Sequence, residues 1–188
     1  MNKPSNWDNV SAGNGGNVVY KLPAGGYVCQ IKEVTDDTAK QALEVKLEVV
    51  EGEMKGFGMN LQEQAGRYPF ELIPRVYYSG ENEWSLKKFK GLITSVEETN
   101  KDFKFDWDNP KCLVGKGVGI VVGERESVSN KDGKVYTNPF VSYFASADRI
   151  RKGNFNVPAL KKLPEGTVTT SAVAETFPEL VDDGDLPF

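Results

Sequence analysis

From Ala42 to Val50 the chain alternates cleanly, with Leu43, Val45, Leu47 and Val49 on one side and Glu44, Lys46 and Glu48 on the other. Successive side chains of a strand point to opposite faces, so period two over this length describes a strand with one face in a core and one toward water. Such a strand needs partners on either side, and the flanking sequence offers them. Tyr27 to Val34 reads as a strand opened by the Gly25-Gly26 turn, followed by a polar loop from Thr35 to Gln41. After the turn at Glu51-Gly52-Glu53, strand character returns around Phe70 to Ser79, where Pro69 and Pro74 limit it to an edge or bulged strand. One helix is expected next: Leu86, Phe89, Ile93 and Val96 recur at spacings of three and four, with Ser85 as N-cap and an end near Asn100. Lys87, Lys88, Lys90, Glu97 and Glu98 fall on its other face. Beyond an aromatic loop, Phe103 to Asp108, a strand runs through Val118, Ile120 and Val122 to about Glu126. Asn130 to Lys134 contains the Asp-Gly hairpin signal, and a return strand continues to about Ser146.

Three strands, a helix and two strands is the element order of the OB-fold, so the expected class is all-β with one helix. The architecture is a five-stranded Greek-key barrel whose helix lies between strands 3 and 4. That fold binds oligonucleotides or oligosaccharides on the face of its second and third strands and on its first and last hairpin loops, here about Thr35 to Gln41 and Ser127 to Gly133. The barrel is expected over residues 18–163. An Asn-, Gly- and Ser-rich segment, 1–17, which contains Trp7, precedes it; a linker, 164–181, and an acidic tip, 182–188, follow it.

Composition narrows the chemistry. The 188 residues include no histidine and two cysteines, Cys29 and Cys112. An imidazole-based triad, a His-containing zinc site and a four-cysteine cluster are therefore excluded. Both cysteines read as small core hydrophobes in strand-like runs. Gly115 to Gly119 is glycine-rich but enters a strand rather than a helix, so it is no phosphate loop. No cofactor is expected, and catalysis is not. No run reaches the length of a membrane helix, and the opening Met1-Asn2-Lys3-Pro4-Ser5 reads as no signal peptide, which points to the cytoplasm.

Charge is divided unevenly. Residues 1–85 carry 8 basic and 12 acidic side chains, residues 86–174 carry 15 and 10, and residues 175–188 carry five acids and no base. A basic middle and an acidic end suit two different partners. Unpaired bases need aromatic faces and phosphates need cations. The candidates are Arg125, Lys131, Lys134 and Tyr136 at the last hairpin, Arg75 and Tyr77 on the third strand, Lys46 on the second, and Trp84, Lys87 and Lys88 at the helix entrance. Glu44 and Glu48 flank Lys46 and would repel phosphates, so the hairpin is the stronger candidate.

The chain ends Asp182-Asp183-Gly184-Asp185-Leu186-Pro187-Phe188. This end resembles the C-terminal tip of bacterial single-stranded-DNA-binding proteins, with Leu186 in place of an Ile and Gly184 interrupting the aspartates. Physically, Phe188 suits an apolar pocket, its carboxylate an Arg, and Asp182, Asp183 and Asp185 a basic rim, while Pro187 stiffens the segment. Leu86 to Glu98, Phe105 to Asp108, Gly117 to Glu126, the Asn130 to Gly133 turn and Asp148 to Gly153 together resemble single-stranded-DNA-binding proteins of phages and prophages of Gram-positive bacteria. The likeness spans roughly residues 25–163. It implies sequence-tolerant binding of single strands in phage replication or recombination inside a bacterial host cell, with the tip recruiting other replication proteins. A homo-oligomer is also expected. Two alternatives remain: an OB-fold adaptor without DNA affinity, and a carboxylate-dependent nuclease built on Asp102, Asp106 and Asp108.

Overall fold

The computed structural model describes residues 19–80 and 83–164. The segment 1–17, nearly all of the linker and the 182–188 tip lie outside the described residues, as does Trp7. Five strands form one antiparallel sheet in the order β3-β2-β1-β4-β5: β1 Gly25–Asp37, β2 Ala42–Val49, β3 Arg75–Tyr77, β4 Gly117–Val128 and β5 Val135–Ala145. The mostly-β expectation holds. β3 has shrunk to three residues at the sheet's edge, as the prolines before it require. β1 runs on through Thr35 and Asp36, so the expected loop contracts to a turn at Thr38 to Gln41.

One helix was expected and three are found among the described residues: α1 Phe57–Ala65, α2 Glu83–Thr99 and α3 Ala147–Arg151. In chain order α2 falls between β3 and β4, but it starts earlier than expected, and Ser85 lies inside it rather than capping it. Its buried stripe is Phe89, Leu92 and Val96, with Ile93 packed at the margin; Leu86 is exposed. Cys29 is buried in β1, whereas Cys112 is half-buried on a 3-10 turn, Pro110–Leu113, rather than in a strand.

α1 exists because of a tertiary contact. Its N-cap is Gly56, which brings no side chain to the free amides of the first turn. Glu48 takes that role, accepting hydrogen bonds from Gly58 N–H at 2.9 Å and Met59 N–H at 2.8 Å. Tyr68 Oη shares its one proton between the Leu47 carbonyl, at 2.6 Å, and the same carboxylate, at 2.9 Å, and Val49 N–H donates to the carboxylate at 3.1 Å. Glu48 was expected to face water by parity; α1 covers that face, leaving the side chain 4% exposed. Burial, then the hydrogen bond to Glu48, pushes the Tyr68 phenol well above its ordinary value.

One face of the sheet packs with α1, α2 and the 3-10 turns around one apolar cluster, with Ile31, Leu43, Leu47, Leu92, Ile120 and Val122 among its members. A second cluster, Val28, Val121, Ala145, Ala147 and Ile150, lies on the reverse face of β1 and β4 beneath α3. No ladder joins β3 to β5 among the described residues. Instead α2 packs against both strands, and a 3-10 turn at Phe70–Leu72 packs against β5.

Gly119 marks a point of the second cluster where backbone itself closes the space. A Cβ there would lie 2.5 Å from Ile150 Cγ1 and 2.7 Å from the Ala145 carbonyl oxygen. Backbone cannot move aside cheaply, so Gly119→Ala should destabilise by about 2–3 kcal/mol, the cost of overpacking a filled core. A urea denaturation midpoint within error of the parent's would refute this.

Candidate nucleic-acid interface

β4 and β5 pair as a long hairpin in which Gly123 faces Phe140, Arg125 faces Asn138 and Ser127 faces Tyr136. Val122 and Val141 belong to the core. Period two therefore turns Gly123, Arg125 and Ser127, with Phe140, Asn138 and Tyr136, to the opposite side of the hairpin. The Arg125 guanidinium carbon lies 5.5 Å from the Phe140 ring centroid. Asn138 Nδ2 donates to Ser127 Oγ at 2.8 Å, and Tyr136 Oη donates to Asp132 Oδ2 at 2.7 Å. That bond, then one from Ser129, holds the Asp132 carboxyl below its ordinary range and fixes the Tyr136 ring beside the turn.

The far half of β4 has an open edge, because its pairing with β1 stops at Val122. Lys161 fills part of it through a parallel bridge: its N–H donates to the Glu124 carbonyl at 3.0 Å, and its carbonyl accepts from Glu126 N–H at 2.9 Å. The Lys161 ammonium then lies 5.1 Å from the Phe140 ring centroid, on the ring that also carries Arg125. Leu163 N–H donates to Glu126 Oε2 at 3.0 Å and pins the segment further.

A third cation arrives from α2. Lys88 Nζ donates to the Val141 carbonyl at 2.8 Å. Burial first, then the like charges of Arg125 and Lys161, lowers its pKa from the ordinary 10.5 to about 8. Among the described residues, none of Lys88, Arg125 and Lys161 forms an ion pair. Lys21 Nζ donates to the Thr137 carbonyl at 2.6 Å. Thr137 and Val141 share a parity with Pro139, whose missing N–H thus falls on the strand's unpaired edge and breaks no ladder bond.

The other candidates are dispersed. Lys131 and Lys134 are exposed at the tip of the β4–β5 turn, with no ion-pair partner among the described residues. Arg75 is paired with Glu44 at 3.0 Å and is not a free cation; Lys46 lies 4.4 Å over the ring of Tyr68, whose hydroxyl is bound to the Glu48 carboxylate. Lys87 pairs with Glu83 at 2.8 Å, one turn back on α2. Tyr77 and Trp84 are exposed. Tyr77 pairs with Ala42 at the Asp37 end of β1, whereas the β4–β5 turn leaves the shared β1–β4 segment in the opposite direction. The ten candidates thus do not form one surface; Lys88, Arg125 and Tyr136 belong to the hairpin region, and Lys46, Arg75 and Tyr77 do not.

Four residues missed by the sequence reading complete the picture: Asn138, Phe140, Lys161 and Trp107. Trp107 is 73% exposed and held edge-on to Phe105 at 5.2 Å between centroids, with Phe89 at 6.0 Å behind it. Its sequence signals were the density of aromatics from Phe103 to Trp107 and its place in the Phe105 to Asp108 segment of the resemblance, neither of which singled it out as a contact residue. A cleft of about 460 Å³ opens between β1 and the Pro110–Leu113 turn, lined by both signs of charge, including Lys32, Lys111, Glu33 and Asp36. Asp106 Oδ1 accepts from Asp108 N–H at 3.0 Å, a turn contact. Among the described residues no group of three acidic or cysteine side chains is placed to hold a metal ion, the Asp102, Asp106 and Asp108 set included. No described helix is long and apolar enough to cross a membrane. Comparison with protein-family models finds no match, and comparison with curated proteins finds none either.

Proposed function

We propose that this chain binds single-stranded DNA without strong sequence preference, and that the outward face of the β4–β5 hairpin is its main contact surface. One observation carries the reading: at the six positions 123, 125, 127, 136, 138 and 140 that face supplies two aromatic rings, one arginine and no carboxylate of its own, with Gly123 covered by Pro158 and the Asp132 carboxylate reaching only the Tyr136 hydroxyl from the turn. Single-strand sites need this combination of stacking planes and cations, and exposed bases stack on tyrosine or on a guanidinium plane. Arg125 held over Phe140 presents such a plane, and Tyr136 presents a ring.

The strand order, with α2 between β3 and β4, supports an OB-type Greek-key barrel whose seam between β3 and β5 is filled by α2. The resemblance to phage and prophage single-stranded-DNA-binding proteins adds a role in protecting strands during replication or recombination. On this reading the 182–188 tip, with Asp182, Asp183, Asp185, Leu186, Pro187 and Phe188, docks replication proteins, and the working form is a homo-oligomer.

The test is fluorescence polarisation of a labelled poly-dT oligonucleotide with the full chain and with a chain ending at Val181, using duplex of equal length as competitor. Both proteins should bind, with a log–log salt slope near −0.7 per phosphate contacted, and duplex should compete poorly. Absence of binding by either at low salt would overturn the reading and favour the protein-adaptor alternative.

A further inference from the structure

Resting on the single-strand reading, we propose that Lys88, Arg125 and Lys161 form one phosphate seat, assembled from α2, β4 and the segment after α3, in which the backbone phosphate displaces no existing partner. Arg125 and Lys161 meet at the Phe140 ring and Lys88 reaches the carbonyl of the next residue, Val141, from positions far apart in the chain. Arg125 and Lys161 share the Phe140 ring, which holds both heads by cation–π contact. Lys88 spends one donor on the Val141 carbonyl, and an ammonium has three. The seat therefore holds unneutralised donors from three elements, the arrangement a phosphate diester oxygen neutralises.

The seat depends on the C-terminal segment. Lys161 is kept there by its backbone bridge to Glu124 and Glu126, so the track on β4 and β5 is incomplete without the chain that follows α3. The charged groups that depress Lys88 are Arg125 from β4 and Lys161 from the bridging segment; β5, which receives its hydrogen bond, contributes no ionisable side chain between Thr137 and Ser142. An incoming phosphate reverses the sign of that environment and favours the ammonium, so binding takes up a proton when the solution is above about pH 8. Affinity then falls as pH rises from 7 to 9, by about tenfold if the contact needs the charged form. Stability of the free chain moves the other way, rising with pH above about 8, because the unfolded chain holds that proton more tightly.

Three readouts separate the seat from the wider function. In NMR, pyrophosphate titrated into the full chain should shift the Arg125 and Lys161 amides, and Lys161→Gln, a change at an exposed side chain, should abolish those shifts. In polarisation with poly-dT, Lys161→Gln should weaken binding about three- to tenfold at low salt and reduce the salt slope by about 0.7. Lys88→Met, which keeps most of the side-chain length, should remove the loss of affinity between pH 7 and 9. No pyrophosphate shift at Arg125 and Lys161, an unchanged salt slope, or an unchanged pH profile in Lys88→Met would each overturn the seat. Pyrophosphate binding without oligonucleotide binding would keep the seat and sink the single-strand reading alone.

Discussion

Glu48→Ala is expected to unfold the chain at a urea midpoint well below the parent's, with a loss of about 3 kcal/mol. The side chain is buried and accepts hydrogen bonds from Val49, Gly58 and Met59 N–H and a share of the Tyr68 Oη proton, which also meets the Leu47 carbonyl. Hydrogen bonds to a charged acceptor contribute about 1.5–3 kcal/mol each, and a buried donor left without a partner costs about 1–3 kcal/mol. Those terms do not add fully, because the first turn of α1 can fray and let water reach its amides. For a chain of this size the loss corresponds to about 6–12 °C in Tm. Glu48→Gln keeps one carbonyl oxygen and the volume, so it should lose roughly half as much. Hydrogen exchange at Gly58 and Met59 gives an independent measure, since both amides should lose protection in the alanine variant before the β1–β4 ladder does. A destabilisation below about 1 kcal/mol would mean that α1 is held by packing of Phe57 and Leu61 rather than by the carboxylate.

The double variant Arg125→Gln/Tyr136→Ala should bind poly-dT about 100-fold more weakly than the parent. Each stacked base is worth about 1–3 kcal/mol, and a factor of ten corresponds to about 1.4 kcal/mol. One lost stack on Tyr136 and one lost guanidinium plane and charge at Arg125 therefore amount to about two decades. Tyr136→Phe keeps the ring and gives up only the hydrogen bond to Asp132, so its affinity should stay within about threefold of the parent's. Arg75→Gln is the contrasting control: Arg75 is already paired with Glu44, and its removal should leave affinity within about twofold. Equal losses in Arg75→Gln and in the double variant would move the contact surface to β2 and β3 and refute the hairpin assignment.

Local sequence was informative wherever a single element's own residues set the outcome. Alternation in Leu43 to Val49 marked β2, the Asp-Gly step marked the β4–β5 turn, and the spacing of Phe89 and Val96 marked α2. These signals are short-range, because side-chain direction in a strand or helix follows from backbone geometry alone. α1 was invisible for the same reason. Its flanks are Gly56 and Gly66, both left-handed and neither supplying a capping side chain, and the cap that sustains it comes from Glu48 on another element. Glu48 itself was placed in water because parity says only which face a residue takes, not what later covers that face.

The same limit applies to the candidate site. Residue type alone marked Arg125, Lys88 and Tyr136 as suitable for nucleic acid, but it also marked Arg75 and Lys87, and Lys46 with only the flanking Glu44 and Glu48 counting against it. The difference between the two groups is their partners: Glu44 neutralises Arg75 and Glu83 neutralises Lys87, while the ring under Lys46, Tyr68, carries the Glu48 carboxylate on its hydroxyl. Lys161 carried no signal, since nothing near it predicts a bridge to β4, and Phe140 read as one more aromatic in a strand. Electrostatic energy depends on distances between groups rather than on their order along the chain. Pairing β4 with β5, starting β1 only at Gly25, laying residue 161 on the edge left open and packing α2 on β5 are what bring positions 88, 125 and 161 within electrostatic range of one another.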